Sequence, residues 1–329
     1  MKKGFTLVEF LIVLVMSLAL IIPITLYIRN NKKEKEVKEN IINTTNDIIK
    51  DVEAYYKEML DNKKYITKVS LNNSNFSYEI DGSFKYDKDG KASGKIYMDG
   101  YCVVIDNDIT MEKMDKVNCN TNILMISGVE YYYNPEKDIK CTKEEADANT
   151  SLNKGCMKWY SILDDGSEKV SLLLSHNIGE NVMWNSTGSN KGGPVTVNKE
   201  LAKNITTWNK NIKTTARLIT AEEIANITNN KGWFNDNKWY YLHNNSDIEY
   251  VGASESNRYA WLFDNTKNCT SYGCNISSDK TYGYWTSSTN STSYAWNIFH
   301  DGTFDIAAVN ATNRGVRPVI KVNRYLFYK

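Results

Sequence analysis

The chain opens with a long apolar stretch, residues 10–28, that contains no charged side chain. Its length matches the roughly 20 apolar residues with which a helix spans a bilayer. Lys2 and Lys3 precede the stretch, and Glu9 stands at its start. A charged side chain costs up to about 2.5–3.5 kcal/mol at the centre of a membrane helix and less near its end, so Glu9 requires a specific role.

After this stretch, apolar residues recur three, four or seven positions apart, which is typical of an amphipathic helix. The residues on this stripe are Val37, Ile41, Ile48, Val52, Tyr55 and Met59. Together, the stretch and the stripe predict a single helix over about residues 5–60, roughly 80 Å long at 1.5 Å per residue. We expect its first half to lie in a membrane and its second half to hold a sheet.

Between residues 65 and 119 the apolar period changes to two, which predicts β-strands. The predicted strands cover residues 65–71, 76–80, 94–98 and 101–105. Turns are expected at three Asp-Gly pairs, Asp81-Gly82, Asp89-Gly90 and Asp99-Gly100. Residues 29–125 are therefore predicted to form a stalk helix followed by a small antiparallel sheet.

A second module is predicted over residues 126–329, where aromatic residues alternate with clusters of Asn, Ser, Thr and Gly. Thr220, followed three positions later by Glu223, predicts a capping box at the start of a helix. Two strands joined at Asp301-Gly302 predict a hairpin, and residues 316–322 predict a final strand. The whole chain is predicted to be α+β.

Composition narrows the possible functions. The formal net charge is +1 at pH 7, with 40 basic and 39 acidic residues, so no nucleic-acid partner is predicted. A chain of 329 residues is long enough for an anchor plus one large or two modest globular domains.

The six cysteines occur as three close pairs: Cys102 and Cys119, Cys141 and Cys156, and Cys269 and Cys274. The apolar segment suggests that the body lies outside the cytosol, where disulfides persist. Six cysteines allow 15 pairings, and we predict pairing between nearest neighbours. Structural zinc is the competing interpretation, but the chain has no Cys-x-x-Cys pair, so neither a metal nor a cofactor is predicted.

The N-terminus resembles the class III signal of type IV prepilins, through its basic leader ending in Gly4, then Phe5, then Glu9 in the apolar segment. The resemblance implies that residues 1–4 are a leader, which a prepilin peptidase removes between Gly4 and Phe5 before methylating Phe5. Residues 5–28 would be the transmembrane and assembly helix. Glu9 would then meet the positive N-terminus of a neighbouring pilin subunit, so that both charges are neutralised in the bilayer.

Two simpler interpretations compete with this one. Residues 5–28 could form a plain signal anchor, and residues 17–19 loosely resemble the cleavage site of a secretory signal. However, the apolar stretch continues past that site, and neither interpretation explains Glu9.

Residues 126–329 resemble, less closely, a domain at the C-terminus of many bacterial surface proteins that is related to C-type lectin and formylglycine-generating-enzyme folds. Three segments carry the resemblance in the same order, namely RLITAEEI at 217–224, GYWTSS at 283–288 and GVRPVI at 315–320. The resemblance implies a lectin-like α+β domain behind a pilin-like helix and sheet.

Lectin-like folds present variable loops on a rigid sheet, so we expect ligands to bind near the hairpins at the end of this module. The candidate ligand-binding residues are Trp285, Asn297, His300, Asp305, Asn310 and Arg314. Exposed aromatic rings stack on sugars or peptide side chains, while Asn and Asp form hydrogen bonds. For Trp285, Trp296 and Arg317, a role in the core is the favoured interpretation.

The sequence thus predicts a minor type IV pilin-like subunit at a pilus tip, with an adhesin-like C-terminal domain that binds a surface glycan or protein. The subunit would be a single-pass protein of the cytoplasmic membrane before assembly and extracellular afterwards. The alternative is a structural priming or capping pilin without a ligand. An enzyme is a third possibility, because Cys269 and Cys274 resemble a reactive pair, but they precede residues 283–288 and no enzymatic activity is predicted.

Overall fold

The computed structural model describes residues 7–72, 75–122, 125–242, 259–263, 283–299 and 302–328. Side chains are described from Arg29 onward within these ranges, except those of residues 233 and 241. Several predicted sites lie outside the described part: Gly4, Phe5, the Glu9 side chain, Cys269, Cys274 and His300. The fold is mixed α and β with mainly antiparallel sheets.

The chain divides into two compact units. The N-terminal unit contains Met1–Glu58 and Val69–Asn122, and the C-terminal unit contains Met59–Lys68 and Ile123–Lys329. Each unit has its own sheet or sheets.

A long helix, α1, runs from Leu7 to Asp61, and its existence confirms the predicted N-terminal helix. Its stripe buries Ile41, Ile48 and Val52 completely, whereas Val37 is 37% exposed. The buried stripe therefore begins later than predicted. Among the residues described, whose side chains start at Arg29, no helix is long and apolar enough to cross a membrane.

The sheet of the N-terminal unit has five strands in chain order, so each strand pairs with its neighbour in sequence. They are β1 Lys68–Ser70, β2 Asp81–Tyr86, β3 Ala92–Met98, β4 Tyr101–Ile105 and β5 Ile109–Lys113, followed by helix α2 Lys116–Cys119. Asp99 and Gly100 have φ of 52° and 80°, so the predicted turn between β3 and β4 is confirmed. A disulfide joins Cys102 on β4 to Cys119 on α2.

One strand prediction and one turn prediction in this unit are wrong. Residues 76–80 form no strand, and the Asp81-Gly82 pair begins β2 instead of forming a turn. The glycine is needed for packing, because a Cβ on Gly82 would lie 2.6 Å from Cγ2 of Ile96 and 2.7 Å from Cδ1 of Leu71. The Asp-Gly pair therefore signals close approach of neighbouring side chains at this position.

The C-terminal unit contains many short elements. Its strands are β6 Glu130–Asn134, β7 Ile139–Lys140, β8 Met157–Ile162, β9 Lys169–Leu174, β10 Ile178–Val182, β11 Arg217–Leu218, β12 Tyr240–Tyr241, β13 Tyr284–Ser291, β14 Tyr294–Ile298, β15 Thr303–Ala308, β16 Arg314–Val316 and β17 Pro318–Asn323. Its α-helices are α3 Lys143–Asp147, α4 Val195–Asn204, α5 Lys210–Lys213, α6 Ala221–Ile227 and α7 Lys231–Asn235. Two 3-10 helices cover Ala260–Leu262 and Arg324–Phe327.

These strands form two six-stranded sheets whose strand order departs from chain order. One sheet has the order β10-β16-β13-β14-β15-β12, and the other has the order β11-β17-β9-β8-β6-β7. The predicted capping box at α6 and the predicted hairpin of β14 and β15 are confirmed. A second disulfide joins Cys141 to Cys156. Both disulfides of the described residues therefore confirm the predicted pairing of neighbouring cysteines, and the third predicted pair, Cys269 and Cys274, lies outside the described part.

The predicted final strand is interrupted at Arg317. β16 ends at Val316 in one sheet, and β17 begins at Pro318 in the other. Arg317 is therefore the residue at which the chain crosses between the two sheets. Because a proline lacks a backbone donor, Pro318 fits the first position of a strand.

Candidate functional site

Three of the predicted ligand-binding residues lie together inside the sheet that contains β13, β14 and β16. Trp285 and Asn297 are fully buried, and Arg314 is 6% exposed. Nε of Arg314 donates to Oδ1 of Asn297 at 3.3 Å. The guanidinium carbon lies 4.5 Å from the ring centroid of Phe299 and 5.8 Å from that of Trp285, within cation–π range.

The polar side-chain atoms of Trp285 and Asn297 form hydrogen bonds to backbone carbonyls within the protein. Trp285 Nε1 donates to the carbonyl of Val182 at 2.7 Å, and Asn297 Nδ2 donates to the carbonyl of Asp305 at 2.9 Å. Trp285 and Asn297 are direct partners across β13 and β14, so their side chains share one face of the sheet, and Tyr284 and Trp296 on the other face are buried as well. In this structure, Trp285, Asn297 and Arg314 support the sheet and do not form a ligand-facing surface.

The remaining described candidates are closer to solvent. Asp305 is half-buried, and its Oδ1 accepts from the backbone N–H of Ile306 at 2.7 Å. Asn310 is exposed at the end of the turn that follows β15. The five described candidates therefore do not form one surface.

The core interpretation of Trp296 and Arg317 is confirmed, since they are 1% and 0% exposed. Arg317 donates to the carbonyls of Leu174 at 2.5 Å and Ser175 at 3.1 Å, and to those of Trp261 at 2.7 Å and Leu262 at 2.6 Å. Its guanidinium carbon lies 5.1 Å from the ring centroid of Tyr284. A fixed fork of donors lets one arginine satisfy several carbonyls where the chain changes sheets.

A polar loop that the sequence analysis did not select lies beside Asn310. Buried Asn185 organises this loop, because its Nδ2 donates to the carbonyls of Lys191 at 3.1 Å and Gly193 at 3.0 Å. Its Oδ1 accepts from the backbone and the hydroxyl of Thr187 at 3.0 and 2.9 Å. The sequence signal was available, because an Asn followed by a Gly, Ser and Asn cluster is typical of an Asx-stabilised loop.

This loop is hydrogen-bonded to the tip of the β13–β14 hairpin. Asn190 donates from its backbone to the carbonyl of Thr292 at 2.9 Å and from Nδ2 to the carbonyl of Ser291 at 3.0 Å. Asn310 follows Val309, whose backbone N–H donates to the carbonyl of Ser293 at 2.9 Å, and a Cβ built on Gly188 would lie 4.0 Å from Nδ2 of Asn310. We call residues 187–191, residues 291–294 and Asn310 the tip face.

The tip face is rich in hydroxyl and amide groups. Its exposed aromatic side chain is Tyr294, which is 44% exposed, and its one charged residue is Lys191. Aromatic rings with neighbouring neutral donors and acceptors can contact polyhydroxylated or peptide ligands. The rigidity of the loop comes from its hydrogen bonds to the hairpin, so these groups are held in place before a ligand arrives.

A buried serine and histidine pair lies near Arg317. The hydroxyl of Ser175 lies 2.9 Å from Nδ1 of His176, and Nε2 of His176 lies 2.9 Å from the carbonyl oxygen of Leu152. A carbonyl only accepts, so Nε2 carries the proton and Nδ1 accepts from the serine. Burial, with a smaller effect of Arg317, lowers the pKa of His176 to about 4. Both residues are at least 98% buried, which makes this pair a structural element without access for a substrate.

The described residues include one group with metal-ligand chemistry, formed by Cys141, Glu145 and Cys156. Its two sulfur atoms are bonded to each other, so they provide no thiolate ligands. Comparisons of the chain with protein-family models, with curated proteins and with solved structures found no match.

Proposed function

We propose that this protein is a minor type IV pilin-like subunit that carries a C-terminal binding domain at the tip of a pilus. It is a single-pass protein of the cytoplasmic membrane before assembly and part of an extracellular fibre afterwards. Its partners are a prepilin peptidase, other pilin subunits and a glycan or protein on another surface. The C-terminal unit corresponds to the lectin-like domain of this proposal.

The observation that carries the proposal is the continuity of α1. One helix, Leu7–Asp61, includes the apolar stretch at its start and the buried stripe of Ile41, Ile48 and Val52 near its end. A filament subunit needs this combination, because the same helix has to assemble with neighbouring copies and hold its own globular part. The basic leader and Glu9 supply the processing and assembly signals.

Two features support a tip position and a binding role. A C-terminal unit of more than 200 residues is difficult to repeat along a tightly packed fibre. The tip face offers Tyr294 and Asn310 in a setting of neutral polar groups. We therefore move the proposed ligand contact from Trp285, Asn297 and Arg314 to the tip face.

Assembly is tested by replacing Glu9 in the full chain, produced in a host that makes type IV pili. Because an uncompensated charge in a bilayer is strongly unfavourable, we expect Glu9→Gln to reduce the fraction in fibres by more than about tenfold, since Gln cannot neutralise the partner N-terminus. Glu36→Gln, at an exposed position of α1, is the matched control. Normal incorporation of Glu9→Gln, or a fibre subunit whose N-terminus is not a methylated Phe5 by mass spectrometry, would reject the proposal.

Binding is tested separately by screening assembled fibres against glycans and matrix proteins. We expect Tyr294→Ala to weaken retention of the ligand about tenfold through lost aromatic contact. Tyr328→Ala is the control, because Tyr328 is similarly exposed, at 47%, but lies outside the tip face. Equal losses in both variants would remove the tip face from the proposal.

The burial of Trp285, Asn297 and Arg314 favours a second candidate function, a priming or capping subunit without a ligand. In that case deletion of the gene reduces the number of fibres, and assembled fibres retain nothing in the binding screen. A ligand that depends on Tyr294 would exclude this second candidate.

A further inference from the structure

A cleft with a volume of about 350 Å³ opens in the N-terminal unit. Its walls come from the β2–β3 hairpin and from the turn between β4 and β5. Ligand pockets in proteins begin at about 300 Å³, so this cleft suits a small molecule or the end of a chain.

The floor of the cleft is held firmly. Tyr86 and Ala92 line it and are 9% and 2% exposed. The phenol of Tyr86 donates to the carbonyl of Val52 at 2.9 Å, and the backbone N–H of Ala92 donates to Oε1 of Glu53 at 3.1 Å. Both bonds end on α1, so the cleft does not have to form when a ligand binds.

The rim carries two charges of each sign. Lys85 and Lys91 provide ammonium groups, and Asp87 and Asp106 provide carboxylates, all on exposed residues. Backbone N–H groups of Asp89 and Lys91 donate to Oδ1 of Asp87 at 2.9 and 2.8 Å and fix this carboxylate.

These four charges do not neutralise one another directly. Within the described residues, ion pairs form elsewhere in the unit, as between Lys116 and Asp81, but none joins the four rim side chains. Opposite charges that face one cleft without pairing can each meet a complementary group on a ligand. A ligand that carries only one charge would leave one pair of rim groups without a partner.

We infer that this cleft binds a small zwitterionic ligand, either a free amino acid or the end of a short peptide. The carboxylate of the ligand lies toward Lys85 and Lys91, and its ammonium group lies toward Asp87 and Asp106.

The test uses the full chain in detergent micelles and follows backbone amide NMR shifts during titration with glycylglycine. We expect a saturable response at the amides of Lys91 and Ser93, which line the cleft. N-acetylglycine lacks the ammonium group and glycinamide lacks the carboxylate, so each should bind more weakly than glycylglycine. Equal binding of either analogue would overturn the proposal in favour of a simple anion or cation site.

Two variants make the test specific, because one removes a positive charge from the rim and the other removes a negative charge. Lys91→Gln and Asp106→Asn should each weaken binding of glycylglycine about twofold to fivefold, as expected for one exposed charge interaction. Lys95→Gln is the control, because Lys95 is an exposed lysine on β3 outside the cleft. The absence of saturable binding, or equal effects of Lys91→Gln and Lys95→Gln, would also overturn the proposal.

Discussion

The two units bury their sheets in different ways. In the N-terminal unit, one helix packs on five strands that follow one another in chain order. In the C-terminal unit, β16 and β17 near the end of the chain insert beside β10 and β9, which lie more than 130 residues earlier. Local pairing needs little beyond an apolar stripe and tight turns, whereas distant pairing requires additional groups that connect separate segments.

The polar groups inside the two units reflect this difference. Among the described residues of the N-terminal unit, Thr45 is the one fully buried side chain that is neither apolar, Tyr nor Cys. The C-terminal unit buries Arg317, whose bonds end on two distant segments, and it buries the ion pair of Arg324 and Asp164. Buried charges connect distant parts of the chain where their hydrogen bonds are satisfied.

The distribution of tryptophan allows the units to be followed separately. All eight tryptophans lie in the C-terminal unit, from Trp159 onward. Tryptophan fluorescence therefore reports unfolding of that unit alone, while amide hydrogen exchange on β3 and β4 reports the N-terminal unit.

The largest effect is expected at the junction between the two C-terminal sheets. Arg317→Met removes the donors for four buried carbonyls, so we expect the free energy of unfolding of this unit to fall by about 3–5 kcal/mol. Urea unfolding followed by tryptophan fluorescence measures the change. Lys321→Met, at an exposed position on β17, should change stability by less than about 0.5 kcal/mol. Similar losses in both variants would show that Arg317 does not connect the sheets.

The next largest effect is a dependence of the stability of the C-terminal unit on pH. The folded C-terminal unit holds the pKa of His176 at about 4, below its ordinary value of 6.5, because the ring is buried. The unfolded chain binds this proton more readily, so stability present above pH 6.5 is lost as the pH falls toward 4, by about 3 kcal/mol in total.

The measurement compares the parent protein with His176→Gln by urea unfolding at pH 7 and pH 4.5. The variant lacks this titration, so its fluorescence-detected stability should fall less on acidification. Parallel losses in the two proteins would contradict the assignment.

A smaller loss of stability is expected when either of two capping boxes in the C-terminal unit is removed, and the two losses should differ. Thr220 and Glu223 cap α6, and Arg217 donates to both carboxylate oxygens of Glu223 at 2.5 and 2.8 Å. Thr142 caps the exposed helix α3 without such a third partner among the described contacts. We expect Thr220→Ala to cost about 1–2 kcal/mol and Thr142→Ala about 0.5–1 kcal/mol by fluorescence-detected unfolding. The reverse order would mean that burial of the cap adds nothing.

An effect of similar size, but of opposite sign, is expected in the N-terminal unit. Oγ1 of Thr45 is buried and has no hydrogen-bond partner among the described residues. Thr45→Val removes this unsatisfied hydroxyl while keeping the side-chain shape, so hydrogen exchange on β3 and β4 should slow by the equivalent of about 1 kcal/mol. Thr44→Val, at the adjacent half-buried position, is the matched control and should leave exchange unchanged.

The patterns that were interpreted successfully are local. α1 follows from an apolar stretch and stripe, the Asp99-Gly100 turn follows from its dipeptide, and the cap of α6 follows from Thr220 and Glu223. Each depends on residues within a few turns of one another. Gly82 shows where a local pattern fails. The Asp81-Gly82 pair predicted a turn, but in the structure Gly82 lies on β2, with the side chains of Ile96 and Leu71 packed closely against it.

The candidate binding residues were predicted less well for the same reason. Trp285 and Asn297 occur in a segment that favours strands, but which face of the sheet they occupy depends on pairing between β13 and β14. Arg314 became buried because β16 inserts next to β13. The tip face was missed because residues 187–191 lie about 100 residues before the rest of it and meet residues 291–294 through tertiary hydrogen bonds such as that from Asn190 to Thr292.

The sequence alone determined the long helix, the change from helical to strand periodicity and, among the described residues, the pairing of Cys102 with Cys119 and of Cys141 with Cys156, because each of these features depends on residues that are close in the chain. Tertiary structure decided which side chains face solvent and where the chain changes sheets, as at Arg317. These properties depend on contacts between segments that are distant in sequence, and a linear pattern carries no information on which of several compatible strands will pair.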